Sequence, residues 1–338
     1  TRYTAARGIP ELREAISGFY QQRYGLNIDP RRILITPGGS GALLLASALL
    51  VDPGKHWLLA DPGYPCNRHF LRLVEGAAQL VPVGPEVRYQ LTPGLVERHW
   101  DHDSVGALVA SPANPTGTIL TRDELAALST SIKERHGHLV VDEIAVGFGR
   151  TGSLFAHQQA GIRPDFICLS KGLTGGTLPL SAVLTTDEVY AAFYDDDAAR
   201  GFLHSHSYTG NPLACRAAVA TLELFEQLDQ LAANRQLARK ISAAFAGLNA
   251  HPRVSNARQQ GMIWAWDIDT ALPDFAQRYH QAALDLGLLL RPIGRTLYCM
   301  PPYVLDDADI VHLGQAALAA LNTALQQEAE LAAKKAEA

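Results

Sequence analysis

The chain has 338 residues, 47% hydrophobic and 19% charged, a balance that suits one large or two ordinary globular domains and not a disordered chain. A formal net charge of −5 gives no electrostatic reason to expect nucleic acid or an anionic membrane as a partner. No apolar run reaches the roughly 18 residues that a membrane span needs, and no signal peptide is visible.

The chain opens abruptly at Thr1-Arg2-Tyr3, close to its first predicted helix, as expected of a trimmed chain or one without an N-terminal arm. Helical periodicity covers residues 10–23, a strand 33–36 and a helix 42–50. Apolar strands follow at 57–60, 79–83, 107–111 and 139–142, with a helix at 124–135 before the last of them. Two more strands, 166–169 and 182–185, complete a β/α alternation. That alternation predicts an α/β fold with a mostly parallel sheet covered on both faces, and ligands outside the carboxyl ends of its strands. After Asn211 the pattern changes. A helical region runs over 212–248, a strand over 261–268, a helix over 273–286, strands over 288–291 and 296–300, and a helix over 306–325. The predicted organisation is a large domain (1–230), a smaller α+β C-terminal domain (231–327) and a solvated tail (328–338) rich in Ala, Glu and Lys.

Of the six lysines, Lys171 has the least ordinary surroundings. It closes the apolar run Phe166-Ile167-Cys168-Leu169 and opens Gly172-Leu173-Thr174-Gly175-Gly176, so burial is expected to lower its pKa and leave a nucleophilic amine. Asp142 ends Leu139-Val140-Val141, 29 residues upstream. A buried acid and a buried lysine at two strand ends suggest a pyridoxal phosphate (PLP) site, with a Schiff base on the lysine and the acid on the pyridinium N–H. The same two residues also suit a structural ion pair.

Three loops could complete such a site. Pro37-Gly38-Gly39-Ser40-Gly41 joins a strand to a helix and offers free N–H groups and a hydroxyl to a phosphate, or is a tight turn. Ser111-Pro112-Ala113-Asn114-Pro115 is a stiff turn in which Pro115 is a candidate for a cis bond, and Asn114 could bond the cofactor's 3′-oxygen or serve the turn. Tyr64, in Asp61-Pro62-Gly63-Tyr64-Pro65, could stack on a ring or be a half-buried loop residue. Gly147-Phe148-Gly149-Arg150-Thr151-Gly152 lacks the Lys-Ser/Thr of a P-loop. His204-Ser205-His206 lacks a third spaced ligand, and Cys66, Cys168, Cys215 and Cys299 form no CxxC pair. No metal or disulfide is therefore expected, and a reducing cytoplasm is the expected setting.

Together these residues resemble the PLP-dependent aminotransferases of fold type I. Residues 1–142 resemble class I/II enzymes through Arg7-Gly8-Ile9-Pro10-Glu11-Leu12-Arg13, Gly39-Ser40-Gly41, Pro62-Gly63-Tyr64-Pro65 and the Ser111–Gly117 turn. Residues 142–303 resemble class III enzymes, and within them the diaminopelargonic acid (7,8-diaminononanoate) aminotransferases of biotin synthesis. The carriers are residues 142–152, 169–176 and 204–214, Arg291-Pro292-Ile293-Gly294, and Tyr298-Cys299-Met300-Pro301-Pro302-Tyr303. The chain thus looks like a mosaic joined at Val141-Asp142-Glu143-Ile144, natural or engineered. Ala145 stands where class I enzymes carry a cofactor-bonding tyrosine, and the N-terminal segment that shapes the class III substrate pocket is not matched.

The resemblance implies transfer of an amino group from a small-molecule donor to a keto acceptor, with an adenosylmethionine-8-amino-7-oxononanoate type of reaction first. It implies catalysis by Lys171 and Asp142. Cofactor contacts fall on Gly39, Ser40, Gly41, Tyr64, Asn114 and Ser207. Substrate contacts fall on Arg291, Arg150 and Tyr298, with Arg291 held near the interior. Ser207 would reach the phosphate of a neighbouring subunit, which makes the unit a homodimer. An α-amino acid aminotransferase, another fold type I enzyme and an inactive PLP binder are the alternatives.

Overall fold

The computed structural model describes residues 5–24, 27–114, 116–197 and 208–337, with side chains as far as Glu328. These residues form two compact units. One takes in the chain up to Phe148 and Ser153–Gln230, the other Gly149–Gly152 and the chain from Leu231 onward.

Seven strands build the sheet of the first unit: β1 Ile33–Thr36, β2 His56–Asp61, β3 Ala77–Pro82, β4 Ser104–Val109, β5 His138–Asp142, β6 Phe166–Leu169 and β7 Ser181–Thr185. Their order is β1-β7-β6-β5-β4-β2-β3. The run from β6 to β3 is parallel throughout, whereas β7 is antiparallel to both β6 and β1. Strands buried on both faces read as continuous apolar runs, and alternate residues sort to opposite sides. Trp57, Leu59, Leu108 and Val140 pack with Ala42 and Leu43 of the helix Gly39–Leu50. Leu58, Ala107, Leu139 and Val141 pack with Leu125 and Leu128 of the helix Arg122–Lys133. That second helix starts at a capping box. Thr121 Oγ1 accepts the N–H of Glu124 at 3.3 Å, and the Glu124 carboxylate accepts the N–H of Thr121 at 2.8 Å.

Because the two neighbours of β7 run the same way, β1, β2, β4, β5 and β6 end on one edge of the sheet, at Thr36, Asp61, Val109, Asp142 and Leu169. Strand β7 begins on that edge, at Ser181.

The second unit has a three-stranded antiparallel sheet, β8 Val254–Gln260, β9 Ile263–Ile268 and β10 Thr296–Cys299, in the order β10-β9-β8. Trp264, Trp266, Phe245, Phe275 and Tyr279 fill its core. Strand β8 escapes sequence reasoning because its residues are mostly polar and exposed. The helical region expected over 212–248 is three helices, Pro212–Gln227, Gln230–Ala244 and Ala246–Asn249, with the first break at Asp229, φ +40°. Residues 288–291, expected as a strand, are not one. The Leu288 N–H bonds the Ala283 carbonyl at 2.8 Å, and His280 Nδ1 donates to the Leu290 carbonyl at 2.8 Å, so the segment is tied to the end of the helix Phe275–Asp285. Glu328, expected to open a solvated tail, accepts hydrogen bonds from the Ala271 N–H at 2.6 Å and from Arg253 at 2.9 Å. It lies on the helix Asp307–Glu337 and its carboxylate belongs to the packed unit.

Candidate active site

The strand ends of the first unit open on a cavity of about 470 Å³ lined by Gly38, Gly39, Ser40, Tyr64, Asn114, Asp142, Ala145, Ser170 and Lys171. That volume lies within the roughly 300–1,000 Å³ usual for small-molecule sites. A smaller space of about 60 Å³, shared by Tyr64, Asn114 and Asp142, adjoins it and is walled further by Asn67 and Gln90.

Asp142 is the last residue of β5, opposite Cys168 of β6. Its Oδ1 accepts the N–H of Ile144 at 2.9 Å. Burial pushes its carboxyl up to about 6, against the pull of that N–H and of the Lys171 charge. An acid so placed is sensitive to any cation brought against it. Glu143 points into the protein instead and is buried. It accepts the N–H of Ala156 at 3.0 Å, the N–H of His157 at 2.8 Å and His157 Nδ1 at 2.9 Å, which fixes the chain just past Asp142. Sequence reasoning missed this brace, although a second acid inside the apolar Val141-Asp142-Glu143-Ile144 was the available signal.

Lys171 follows β6 as the first residue of the short 3₁₀ turn Lys171–Thr174. It adopts φ +41°, a left-handed conformation with a cost of about 1–3 kcal/mol for a residue with a side chain. Two contacts hold it there. Ser170 Oγ donates to the Leu180 carbonyl at 2.7 Å, and the Gly176 N–H bonds the Lys171 carbonyl at 2.9 Å. Gly172 admits no side chain, since a Cβ would lie 2.8 Å from Phe148. The expectation of a buried Lys171 is corrected here. The turn carries the chain out of the sheet before the lysine, and the residue is exposed, on the wall of the open cavity.

The turn after β1 puts Gly38 at φ +87° as N-cap of the helix Gly39–Leu50, without a side-chain cap. The Gly41 and Ala42 N–H groups bond the Gly38 carbonyl, at 2.9 and 3.3 Å. Gly39 and Ser40, the first two residues of the helix, have no intrahelical acceptor for theirs. These two line the cavity, whereas Gly41, expected beside them, spends its N–H inside the turn. At Gly39 a Cβ would meet Ile144 at 2.5 Å, so the turn sits directly on the segment that follows Asp142.

Tyr64 and Asn114, expected as ring and 3′-oxygen contacts, both line the cavity. Hydrogen bonding to Cys66 and burial raise the pKa of the Tyr64 hydroxyl. Among the described residues the cis peptide bonds precede Pro62 and Pro112, and Pro115 lies outside those residues, as does Ser207. Arg150, Tyr298 and Arg291 belong to the second unit. There Arg150 lies 4.3 Å from the centre of the Tyr303 ring and donates to the Pro301 carbonyl. Tyr298 is half-buried on β10, opposite Ala265. Arg291, expected near the interior, is exposed, because the strand that would have buried it does not form.

The cavity could therefore hold an anion on the amides of Gly39 and Ser40, a protonated ring nitrogen on Asp142 and a carbonyl carbon near Lys171.

Residues 94–322 match the family model described as aminotransferase class-III. The chain is 44% identical over 184 residues to an adenosylmethionine-8-amino-7-oxononanoate aminotransferase of Helicobacter pylori, over 53% of this chain and 42% of that protein. It is 40% identical over 151 residues to a valine–pyruvate aminotransferase of Mycobacterium tuberculosis, over 45% of this chain and 39% of that protein. The chain thus spans about two-fifths of the length of these relatives. Its fold is that of the adenosylmethionine-8-amino-7-oxononanoate aminotransferase of Methanocaldococcus jannaschii, with a TM-score of 0.74 and 22% identity over 92% of this chain and 84% of that one.

Proposed function

This chain belongs to the class III aminotransferase family, and from that premise we propose that it transfers an amino group from a small-molecule donor to a keto acceptor with PLP as its cofactor. The observation that carries the reading is one cavity holding the amine of Lys171, the carboxyl of Asp142 and the unbonded amides of a helix start. The fit to PLP rests on this donor set and on Gly39, whose missing side chain lets the turn pack directly on Ile144, the second residue after Asp142.

PLP, when bound, supplies an electron sink for the carbon that bears the amine. The N–H groups of Gly39 and Ser40 would bind its phosphate. Asn114 would bond the 3′-oxygen and Tyr64 would cover a ring face. Asp142 would hold the proton on the ring nitrogen, and that cation in turn would keep the carboxyl ionised despite its burial. Lys171 would provide the amine for the aldehyde and then, as a free base, take a proton from the substrate carbon.

For the substrate pair, adenosylmethionine and 8-amino-7-oxononanoate come first, on the names of relatives such as that of H. pylori. An α-amino acid pair is the second reading, favoured by the likeness to a valine–pyruvate aminotransferase. Arg291, Arg150 and Tyr298 are the proposed substrate contacts, and the four free cysteines suit a reducing cytoplasm. The working unit is proposed as a homodimer in which Ser207 reaches the partner's phosphate.

Borohydride treatment of the protein with PLP, followed by peptide mapping, should put a pyridoxyl group on Lys171. Labelling at Lys55 or Lys240 instead would refute the assignment. A panel of donors and acceptors, read by the absorbance of pyridoxamine phosphate, should then respond to one substrate pair. Silence across the panel would leave an inactive PLP binder.

A further inference from the structure

Two hydroxyl groups that no catalytic role accounts for lie behind the glycine turn. Thr36 ends β1 and Ser181 begins β7, directly opposite each other in the ladder, and both are buried. Their hydroxyls are hydrogen-bonded to one another. Ser181 Oγ lies 2.7 Å from the Gly38 carbonyl and 3.0 Å from that of Thr36. Ser181 has one proton to give, so it is shared between two carbonyls, and the Thr36 hydroxyl is left to donate into Ser181 Oγ.

The chain between those carbonyls explains why they need an anchor. Pro37 has no N–H, and Gly38, at φ +87°, is the least restrained kind of residue. What the turn supplies for itself is a Gly38 N–H to Thr36 carbonyl bond of 3.0 Å and the start of the helix. The direction of the Gly39 and Ser40 amides therefore depends on where the Gly38 carbonyl is held.

We infer that Thr36 and Ser181 form a hydroxyl relay that positions the phosphate-binding turn, without touching the phosphate. The inference rests on the reading that the cavity takes PLP, and it assigns to the relay the recognition of the phosphate and not of the ring. Ser181→Ala leaves the Gly38 carbonyl bonded to Gly41 and Ala42, so the variant keeps its fold.

The test is equilibrium binding of two probes to the cofactor-free protein: PLP, and pyridoxal, which has the same ring and aldehyde but no phosphate. Ser181→Ala should weaken PLP binding about five- to tenfold, the worth of about one hydrogen bond, and shift pyridoxal less than twofold. Thr36→Val should do the same and Thr36→Ser should restore the parent affinity, with thermal melting to check that each variant is folded. Equal losses for the two probes, or an unchanged PLP affinity in both Ser181→Ala and Thr36→Val, would overturn the relay while leaving the PLP site in place. Failure of the unaltered protein to bind PLP would overturn the cofactor reading and the relay with it.

Discussion

Asp142→Asn should stabilise the cofactor-free protein and disable it as a catalyst, and the pH dependence separates the two effects. The Asp142 carboxyl is carried from 3.8 to about 6, chiefly by burial at the end of β5. A carboxyl with a folded pKa above its unfolded one opposes folding when it is ionised. The cost is absent below pH about 4, grows as the pH rises to about 6 and is constant above that. At about 1.4 kcal/mol per decade the full cost is about 3 kcal/mol, and 2–3 kcal/mol is the range to expect once the partial exposure of the site is allowed for. An asparagine keeps an oxygen for the Ile144 N–H and carries no charge. Urea unfolding of the two cofactor-free proteins should thus give equal stabilities at pH 4, with the Asp142→Asn variant ahead by about 2–3 kcal/mol at pH 8. Saturating PLP should shrink that lead, because the protonated ring then pairs with the carboxylate. The half-reaction with an amino donor should fall at least about 100-fold, or about 2.7 kcal/mol of barrier. A stability difference that does not change between pH 4 and pH 8, or a less stable variant at pH 8, would refute the buried-acid argument.

Gly39→Ala should cost about 1–3 kcal/mol in denaturant unfolding and loosen PLP binding, and Gly39→Ala with Ile144→Ala should recover most of both, since the clash is with that side chain. Glu143→Ala should cost about 3–5 kcal/mol, because the His157 ring, the buried His157 N–H and the part-buried Ala156 N–H lose their acceptor; a loss under 1 kcal/mol would mean that water replaces the carboxylate. Arg291→Ala should leave the melting temperature within about 1–2 °C, as befits an exposed side chain, yet raise KM for carboxylate-bearing substrates about tenfold or more. An equal rise for amines without a carboxylate would remove Arg291 from the substrate site.

The sheet was legible where burial on both faces writes itself as an apolar run, as in Leu139-Val140-Val141 and Phe166-Ile167-Cys168-Leu169. Strand direction leaves no such mark, so the reversal of β7 could not be read from Ala182-Val183-Leu184. Strand β8 pairs along one side through residues that face solvent, and nothing in Ser255-Asn256-Ala257-Arg258 announces it. Leu288-Leu289-Leu290 misled for the opposite reason, an apolar run that caps a helix end and leaves Leu289 78% exposed. Within the site, Lys171, Asp142, Gly39, Ser40, Tyr64 and Asn114 could be named from chemistry and motif. Ser181 and Thr36 could not, since their importance lies in which groups they meet across 145 residues of chain, and Glu143 left a signal, an acid in an apolar run, but not the partners it meets 14 residues on.

The place of β1 at the sheet edge, beside β7, also sets a schedule for synthesis. Among the described residues strand β1 has a single neighbour in the sheet, which begins 145 residues after β1 ends. At about 5–20 residues per second, β1 and the glycine turn wait roughly 7–30 s on the ribosome before the strand they pair with, β7, is made. Strands β2 to β6 can meanwhile assemble with one another in the emerging chain. The edge that carries the glycine turn is thus the last piece of the sheet to close, and a ribosome that stalls ahead of Ser181 leaves the apolar strand Ile33-Leu34-Ile35 without its sheet partner, held by the Ile35 N–H bond to the Arg7 carbonyl and open to pairing with another nascent chain.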